Sequence, residues 1–82
     1  MSTSLMVFSQ NETIDSLTIL LSEATTAKDE IDLKCKLSQK FTEIGEFEKG
    51  GKMANDALNA AEKSNDAKGI GLAYYSLARL NH

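Results

Sequence analysis

The spacing of apolar residues divides the chain into amphipathic segments. Apolar residues recur at intervals of three and four, with polar residues between them, and this is the period of an α-helix rather than of a strand. We predict helices over 12–25, 29–44, 48–64 and 67–80. The short connectors between them favour antiparallel neighbours. The predicted fold class is therefore all-α, built from four helices in antiparallel hairpins.

Residues with strong positional preferences mark the predicted helix ends. Asn11 and Asp66 are suited to cap the first and fourth helices, and Asp29, Glu30 and Asp32 are expected to cap the second. Gly45 is suited to the left-handed position that follows the second helix. Glycine inside a helix costs about 1 kcal/mol relative to alanine. We therefore expect Gly50, inside the third helix, to have a packing role.

Each of the four helices presents one apolar face. On the first helix this face is Ile14, Leu17, Leu20, Leu21 and Ala24. The third is mostly alanine, and small side chains let helix axes approach closely. The predicted faces are Leu33, Leu37, Phe41 and Ile44 on the second helix, Met53, Ala54, Ala57, Leu58, Ala60 and Ala61 on the third, and Ile70, Ala73, Tyr74, Leu77, Ala78 and Leu80 on the fourth.

The chain also repeats itself. Residues 17–37 align with residues 57–77 without a gap when one segment is shifted by 40 positions. Self-similarity at such a period indicates an array of supersecondary units, each unable to bury its apolar face by itself. A closed four-helix bundle fits the same helix lengths, but it does not require the second and fourth helices to resemble each other. The repeat therefore favours stacked hairpins.

A set of residues across the central hairpin resembles a tetratricopeptide repeat (TPR). These residues are Leu37, Ser38, Phe41, Gly45, Phe47, Gly50, Ala54, Ala57 and Leu58. Gly50 stands where alanine is usual, and the spacing of 40 exceeds the family's usual length of about 34 residues. The resemblance implies a fragment of a right-handed α-solenoid. Its parts are a half repeat over 11–28, a full repeat over 29–66 and the first helix of the next repeat over 67–82, preceded by a disordered leader over 1–10.

A narrower resemblance concerns several short segments. Phe8–Gln10 with Ile14–Leu17, then Ala57–Lys63 and Asp66–Ile70, are similar to the start of TPR sensor regions in bacterial histidine kinases and related signalling regulators. That resemblance implies an extracytoplasmic, periplasmic segment of a longer receptor. Without it, the general TPR resemblance leaves a cytoplasmic location, and the compartment stays open.

The TPR resemblance also implies where a partner would bind. In this family, peptides usually lie in a concave groove lined by the first helix of each repeat. The matching positions are Asp32, Cys35, Gln39, Thr42, Glu43, Leu72, Tyr75 and Arg79. Tyrosine and arginine are common anchors of binding energy. The alternative is that Tyr75 packs against a following helix and Arg79 is simply solvated.

Composition excludes several functional classes. With nine basic and twelve acidic residues, and the basic ones scattered singly, the chain offers no stripe for a nucleic-acid backbone. The apolar run Leu5–Phe8 is too short to cross a membrane. Cys35 has no histidine other than His82 to activate it, and the acidic residues lack the pattern of a calcium loop. We therefore predict no catalytic residue, no metal and no cofactor.

The sequence therefore favours a non-enzymatic module that binds a protein or peptide, as a fragment of a larger signalling or regulatory protein. The rival hypothesis is a structural stacking or dimerisation segment without a ligand groove, which forms a homodimer through residues 67–80. A small hydrolase is the weakest alternative, because no nucleophile is paired with a base.

Overall fold

The computed structural model describes the backbone of residues 2–80 and the side chains of residues 12–80. These residues form four helices and no strand, which confirms the all-α fold class. The helices are α1 (Ser2–Glu23), α2 (Ala27–Glu43), α3 (Phe47–Lys63) and α4 (Ala67–Leu80).

The helix bounds agree with the sequence best at the carboxyl end of the chain. The limits of α4 are those predicted, and α2 and α3 begin one or two residues earlier than expected. The first helix is different, because it begins at Ser2 instead of Glu12. Asn11 therefore lies inside α1 and does not cap its start. Residues 1–11 have no described side chains, and the role of 1–10 as a leader stays a prediction.

The residues that cap the helices agree only in part with those predicted from the sequence. Thr26 caps α2, since its Oγ1 accepts a hydrogen bond from the Asp29 N–H at 3.1 Å, so the expectation that Asp29 is a cap was wrong. Asp66 does cap α4, because its Oδ1 accepts from the Gly69 N–H at 3.0 Å. Gly45 has a φ of +85°, which confirms its left-handed position after α2.

The last three helices run alternately up and down. Gly50, near the start of α3, lies against Thr42 at the end of α2 and against Leu80 at the end of α4. Ala61, near the end of α3, belongs to the same buried cluster as Ile31 near the start of α2. These contacts make α3 antiparallel to both neighbours. The helices α2 and α4 therefore run in the same direction, side by side.

The helices α2, α3 and α4 contact one another, and α1 is added to this group through α2. The helix α4 packs against both α2 and α3, whereas α1 packs against α2 and, within the described residues, has no contact with α3 or α4. A closed four-helix bundle would place its first and last helices in contact. The described helices are therefore not arranged as a closed bundle. The right-handed solenoid stays a prediction.

Small residues form most of the interior. Ala54, Ala57 and Ala61 on α3 are fully buried, as predicted, and Gly50 lies on the same face. These four positions follow the helical period, so α3 presents a continuous face of small side chains, which we call the small-residue face. Close contact between backbones replaces the interdigitation of large side chains along this face.

The predicted faces of α2 and α4 need correction. Leu37 is buried as expected, but Ile44 is 38% exposed, and Ile31 and Cys35 fill the core instead. On α4, Tyr74 was predicted to lie on the apolar face but is exposed, whereas the polar residue Ser76 is buried. The helix α2 packs against three other helices and α4 packs against two, so the buried positions of each extend beyond the single face that was predicted.

Gly50→Ala tests the close approach of α2 to α3. A Cβ at position 50 would lie 2.8 Å from Thr42 Oγ1 and 3.1 Å from the Ser38 carbonyl oxygen, and the latter is backbone that cannot rotate away. We expect overpacking to cost about 1–3 kcal/mol, which cancels or exceeds the helix-propensity gain of about 1 kcal/mol. Urea unfolding followed by circular dichroism measures the change.

Gly51→Ala is the matched control one residue along. A Cβ there meets only Leu80 Cδ1 within 4 Å, at 3.7 Å, which is an ordinary contact. This variant should therefore gain close to the full propensity difference of about 1 kcal/mol. If Gly50→Ala were stabilised as much as Gly51→Ala, the small-residue face would not be closely packed against α2.

Candidate functional site

Three of the predicted groove residues lie together where α2 and α4 run side by side. Arg79 Nη1 donates to Gln39 Oε1 at 3.4 Å, a long hydrogen bond between side chains 40 positions apart. The Arg79 guanidinium carbon also lies 5.9 Å from the centre of the Tyr75 ring, at the outer limit of a cation–π contact. Gln39, Tyr75 and Arg79 form what we call the Gln–Tyr–Arg cluster.

This cluster is accessible to solvent. Tyr75 is 57% exposed, and Gln39 and Arg79 are half-buried. A guanidinium carries five N–H donors in a planar fork, and the single bond to Gln39 leaves most of them available. Since Arg79 and Gln39 occupy equivalent positions in the repeat, their contact follows from the parallel course of α2 and α4. The arrangement offers an aromatic surface beside several hydrogen-bond donors.

Cys35 must be removed from the predicted groove. Its side chain is only 2% exposed, so no partner can reach it. Burial raises the pKa of the thiol above its ordinary value of 9.0, a hydrogen bond with Ser76 opposes the rise, and the charge of Asp32 adds to it. The thiol is therefore protonated at neutral pH, and a protonated thiol is a poor nucleophile. The contact with Ser76 places Cys35 between α2 and α4.

The contacts of Thr42 and Leu72 are with other residues than those of the cluster. Thr42 Oγ1 donates to the Ser38 carbonyl at 2.8 Å and lies beside Gly50, in the contact between α2 and α3. Leu72 packs against the buried core. Both side chains are partly buried. Their helical spacing is compatible with the groove, but their side chains pack against neighbouring helices.

The remaining two predicted residues lie elsewhere on α2. Glu43 is exposed and forms an ion pair with Lys40 at 3.5 Å. Asp32 lines an open cleft between α1 and α2. The structure therefore brings together three of the eight predicted positions, which are Gln39, Tyr75 and Arg79.

A second cleft, between α2 and α3, was not predicted from the sequence. Its volume is about 440 Å³, and it is open to solvent. The residues that line it include Glu30 and Lys34 on α2, which form an ion pair at 2.9 Å, and Asp56, Ala60 and Lys63 on α3. The one sequence signal of this cleft was the spacing of Glu30 and Lys34, because oppositely charged residues four positions apart on a helix can form an ion pair. Its charged groups are exposed or paired, and it contains no nucleophile beside a base.

Other chemistry finds no support in the described part of the chain. No cluster of three or more histidine, cysteine or acidic side chains there could hold a metal ion. None of the helices described has the length and apolar character needed to cross a membrane.

Comparisons of the chain with protein-family models, with curated proteins and with solved structures found no match.

The reactivity of Cys35 tests whether α4 covers α2. Because this is the single cysteine of the chain, a thiol reagent reports on one position. We expect labelling at pH 7 to be slower than in urea by about a hundredfold or more, since a buried thiol reacts only when the structure opens. The rate is measured with a chromogenic disulfide reagent.

The control moves the thiol to an exposed site. In the double variant Cys35→Ala, Asn55→Cys, the new thiol lies on the exposed side of α3. It should react at nearly the same rate with and without urea. Equally fast labelling of Cys35 in the native chain would contradict the close contact of α2 with α4.

Proposed function

We propose that this chain is a non-enzymatic interaction module that binds an extended peptide or protein segment across α2 and α4. The observation that carries the proposal is the Gln–Tyr–Arg cluster, in which side chains of two helices meet at an exposed surface. Tyrosine and arginine contribute large shares of binding energy when a partner covers them. The Tyr75 ring would pack against an apolar side chain, and Arg79 would donate to carbonyl or carboxylate oxygens of the bound segment.

The arrangement of helices supports a TPR-like unit. In such an array, the first helix of each repeat runs parallel to the first helix of the next and also contacts the second helix between them. The helices α2, α3 and α4 have these relations. The first helices then form a common surface, and the cluster lies on the surface shared by α2 and α4. This proposal places α2 and α3 in one repeat and α4 at the start of another.

The absence of an enzymatic role is part of the same proposal. It is supported by the burial of Cys35, whose pKa is raised by desolvation. The proposed bacterial signalling role depends on the sequence resemblance, as does a periplasmic location. The coding sequence around the 82 residues tests it, because a sensor segment would be followed by a membrane span and a kinase or regulator domain.

Peptide selection tests the proposed surface. A phage-displayed peptide library is selected on the wild-type chain, and the enriched peptides are measured against the double variant Tyr75→Ala, Arg79→Ala. We expect affinity to fall about thirtyfold to a thousandfold, because each of the two anchor residues contributes about 1–2 kcal/mol. Both side chains lie outside the buried core, so the helical circular dichroism should be unchanged.

Tyr74→Ala is the matched control for this experiment. Tyr74 is 54% exposed, close to the value of 57% for Tyr75, but it is not part of the cluster. Peptides that bind the proposed surface should keep their affinity for this variant. Enrichment of no peptide, or equal binding to the wild type and the double variant, would refute the site.

A further inference from the structure

The outer side of α4 carries a stripe of exposed residues whose equivalents on α2 are buried. Gly71, Tyr75 and Ala78 are exposed. The residues 40 positions earlier are Ile31, Cys35 and Ser38, which are 1%, 2% and 0% exposed. Those three are covered because the following helices α3 and α4 pack over them. The same face of α4 has no such cover within the described residues.

The outer side of α1 also carries exposed apolar residues, and their equivalents on α3 lie along a contact with another helix. Its residues Ile19 and Leu20 are 58% and 51% exposed. Their equivalents 40 positions later are Asn59 and Ala60 on α3, which lie along the cleft against α2. On the other wall of that cleft is Lys34, whose equivalent on α4 is the exposed Tyr74. The exposed sides of α1 and α4 thus correspond to the two walls of the cleft where α2 and α3 lie side by side.

The charges of these two helices are also complementary. The charged residues of α1 are all acidic, namely Glu12, Asp15 and Glu23. Those of α4 are all basic, namely Lys68 and Arg79. Within the described residues, Glu12, Asp15, Glu23 and Lys68 form no salt bridge.

The antiparallel course of α3 along α2 fixes how such charges would meet. Lys63 of α3 lies across the cleft from Ala27 at the start of α2. Shifted by 40 positions, this pair becomes Glu23 of α1 and Ala67 of α4, which is adjacent to Lys68. An acidic group near the end of α1 would therefore lie close to the basic start of α4.

We infer that the chain associates head to tail with a second copy of itself. The α1 helix of one copy lies on the α4 helix of the next, in the relation that α3 has to α2 within one chain. Ile19 and Leu20 of the first copy cover Tyr74 and its neighbours on the second. Because the two surfaces differ, the contact is heterologous, and repeated association gives longer assemblies unless a ring closes. This inference names the occupant of the α4 face and does not depend on peptide binding.

Two variants, each altered on one surface, test the inference. Tyr74→Glu places an acid on α4 against the acidic α1 helix, and Ile19→Glu places an acid in the apolar part of α1. Both residues are more than half exposed, so the fold should be kept. Circular dichroism and the slow labelling of Cys35 verify this. Both variants retain Tyr75 and Arg79, so peptide capture can be measured on a monomeric chain in which no second copy covers Tyr75.

The association is measured by sedimentation equilibrium from about 10 µM to about 1 mM, where weak contacts become populated. The wild type should exceed the monomer mass as its concentration rises. Each variant by itself should remain a monomer, with its association constant reduced about tenfold or more. An equimolar mixture should form a dimer that does not grow, because one intact α1 surface and one intact α4 surface remain. Raising NaCl should weaken association of the wild type, since the paired charges are screened.

The other outcomes would overturn the inference. A wild type that is monomeric at every concentration shows that the two surfaces do not associate. Dimerisation of Ile19→Glu by itself points to a symmetric contact between two α4 helices, and dimerisation of Tyr74→Glu by itself excludes the α4 surface. Two monomeric variants that do not pair when mixed show that α1 and α4 are not each other's partners.

Discussion

The helices α2 and α4 both pack against α3, and they can do so closely because the small-residue face of α3 has no large side chains. Ala54, Ala57 and Ala61 are fully buried, and Gly50 has no room for a side-chain carbon beside Thr42. Each small residue contributes less to the free energy of folding than a large apolar residue would, because hydrophobic stabilisation rises with the apolar area that is buried. It relies instead on many short contacts between neighbouring backbones, and such contacts are lost quickly as the helices separate.

The same packing determines which residues can meet a partner. With α3 close to both neighbours, α2 and α4 lie side by side and in parallel, so residues 40 positions apart come together. One turn before Gln39, Cys35 is buried in that contact and is removed from the surface. The exposed Gln–Tyr–Arg cluster and the inert cysteine are therefore two results of one arrangement. A groove assigned from helix spacing could include both, because spacing does not show which side the next helix covers.

The features of the fold that the sequence predicts correctly are those that depend on residues close together in the chain. The Asp66 cap, the left-handed Gly45 and the alanine face of α3 depend on nearby residues, and the structure confirms all three. The start of α1 depends on no such signal, since no proline or glycine interrupts residues 1–11. On α2, Ile31 and Ile44 fit helical faces almost equally well, and only the positions of α3 and α4 decide that Ile31 is buried. Three pairs of the predicted groove positions are separated by 40 residues. Of these, Gln39 and Arg79 are joined by a hydrogen bond between their side chains.

The most direct test of this account is whether α4 contacts α2 and α3 at the same time in solution. Nuclear Overhauser effects in the isotope-labelled chain can show both contacts. The account predicts a signal between the Ile31 γ2 methyl group and the α protons of Gly69, since a Cβ on Gly69 would lie 3.0 Å from Ile31 Cγ2. It predicts a second between the α protons of Gly50 and the Leu80 methyl groups, since the corresponding distance is 3.4 Å. A chain that shows the second signal without the first would have α4 on α3 alone, and the parallel pairing of α2 with α4 would be wrong.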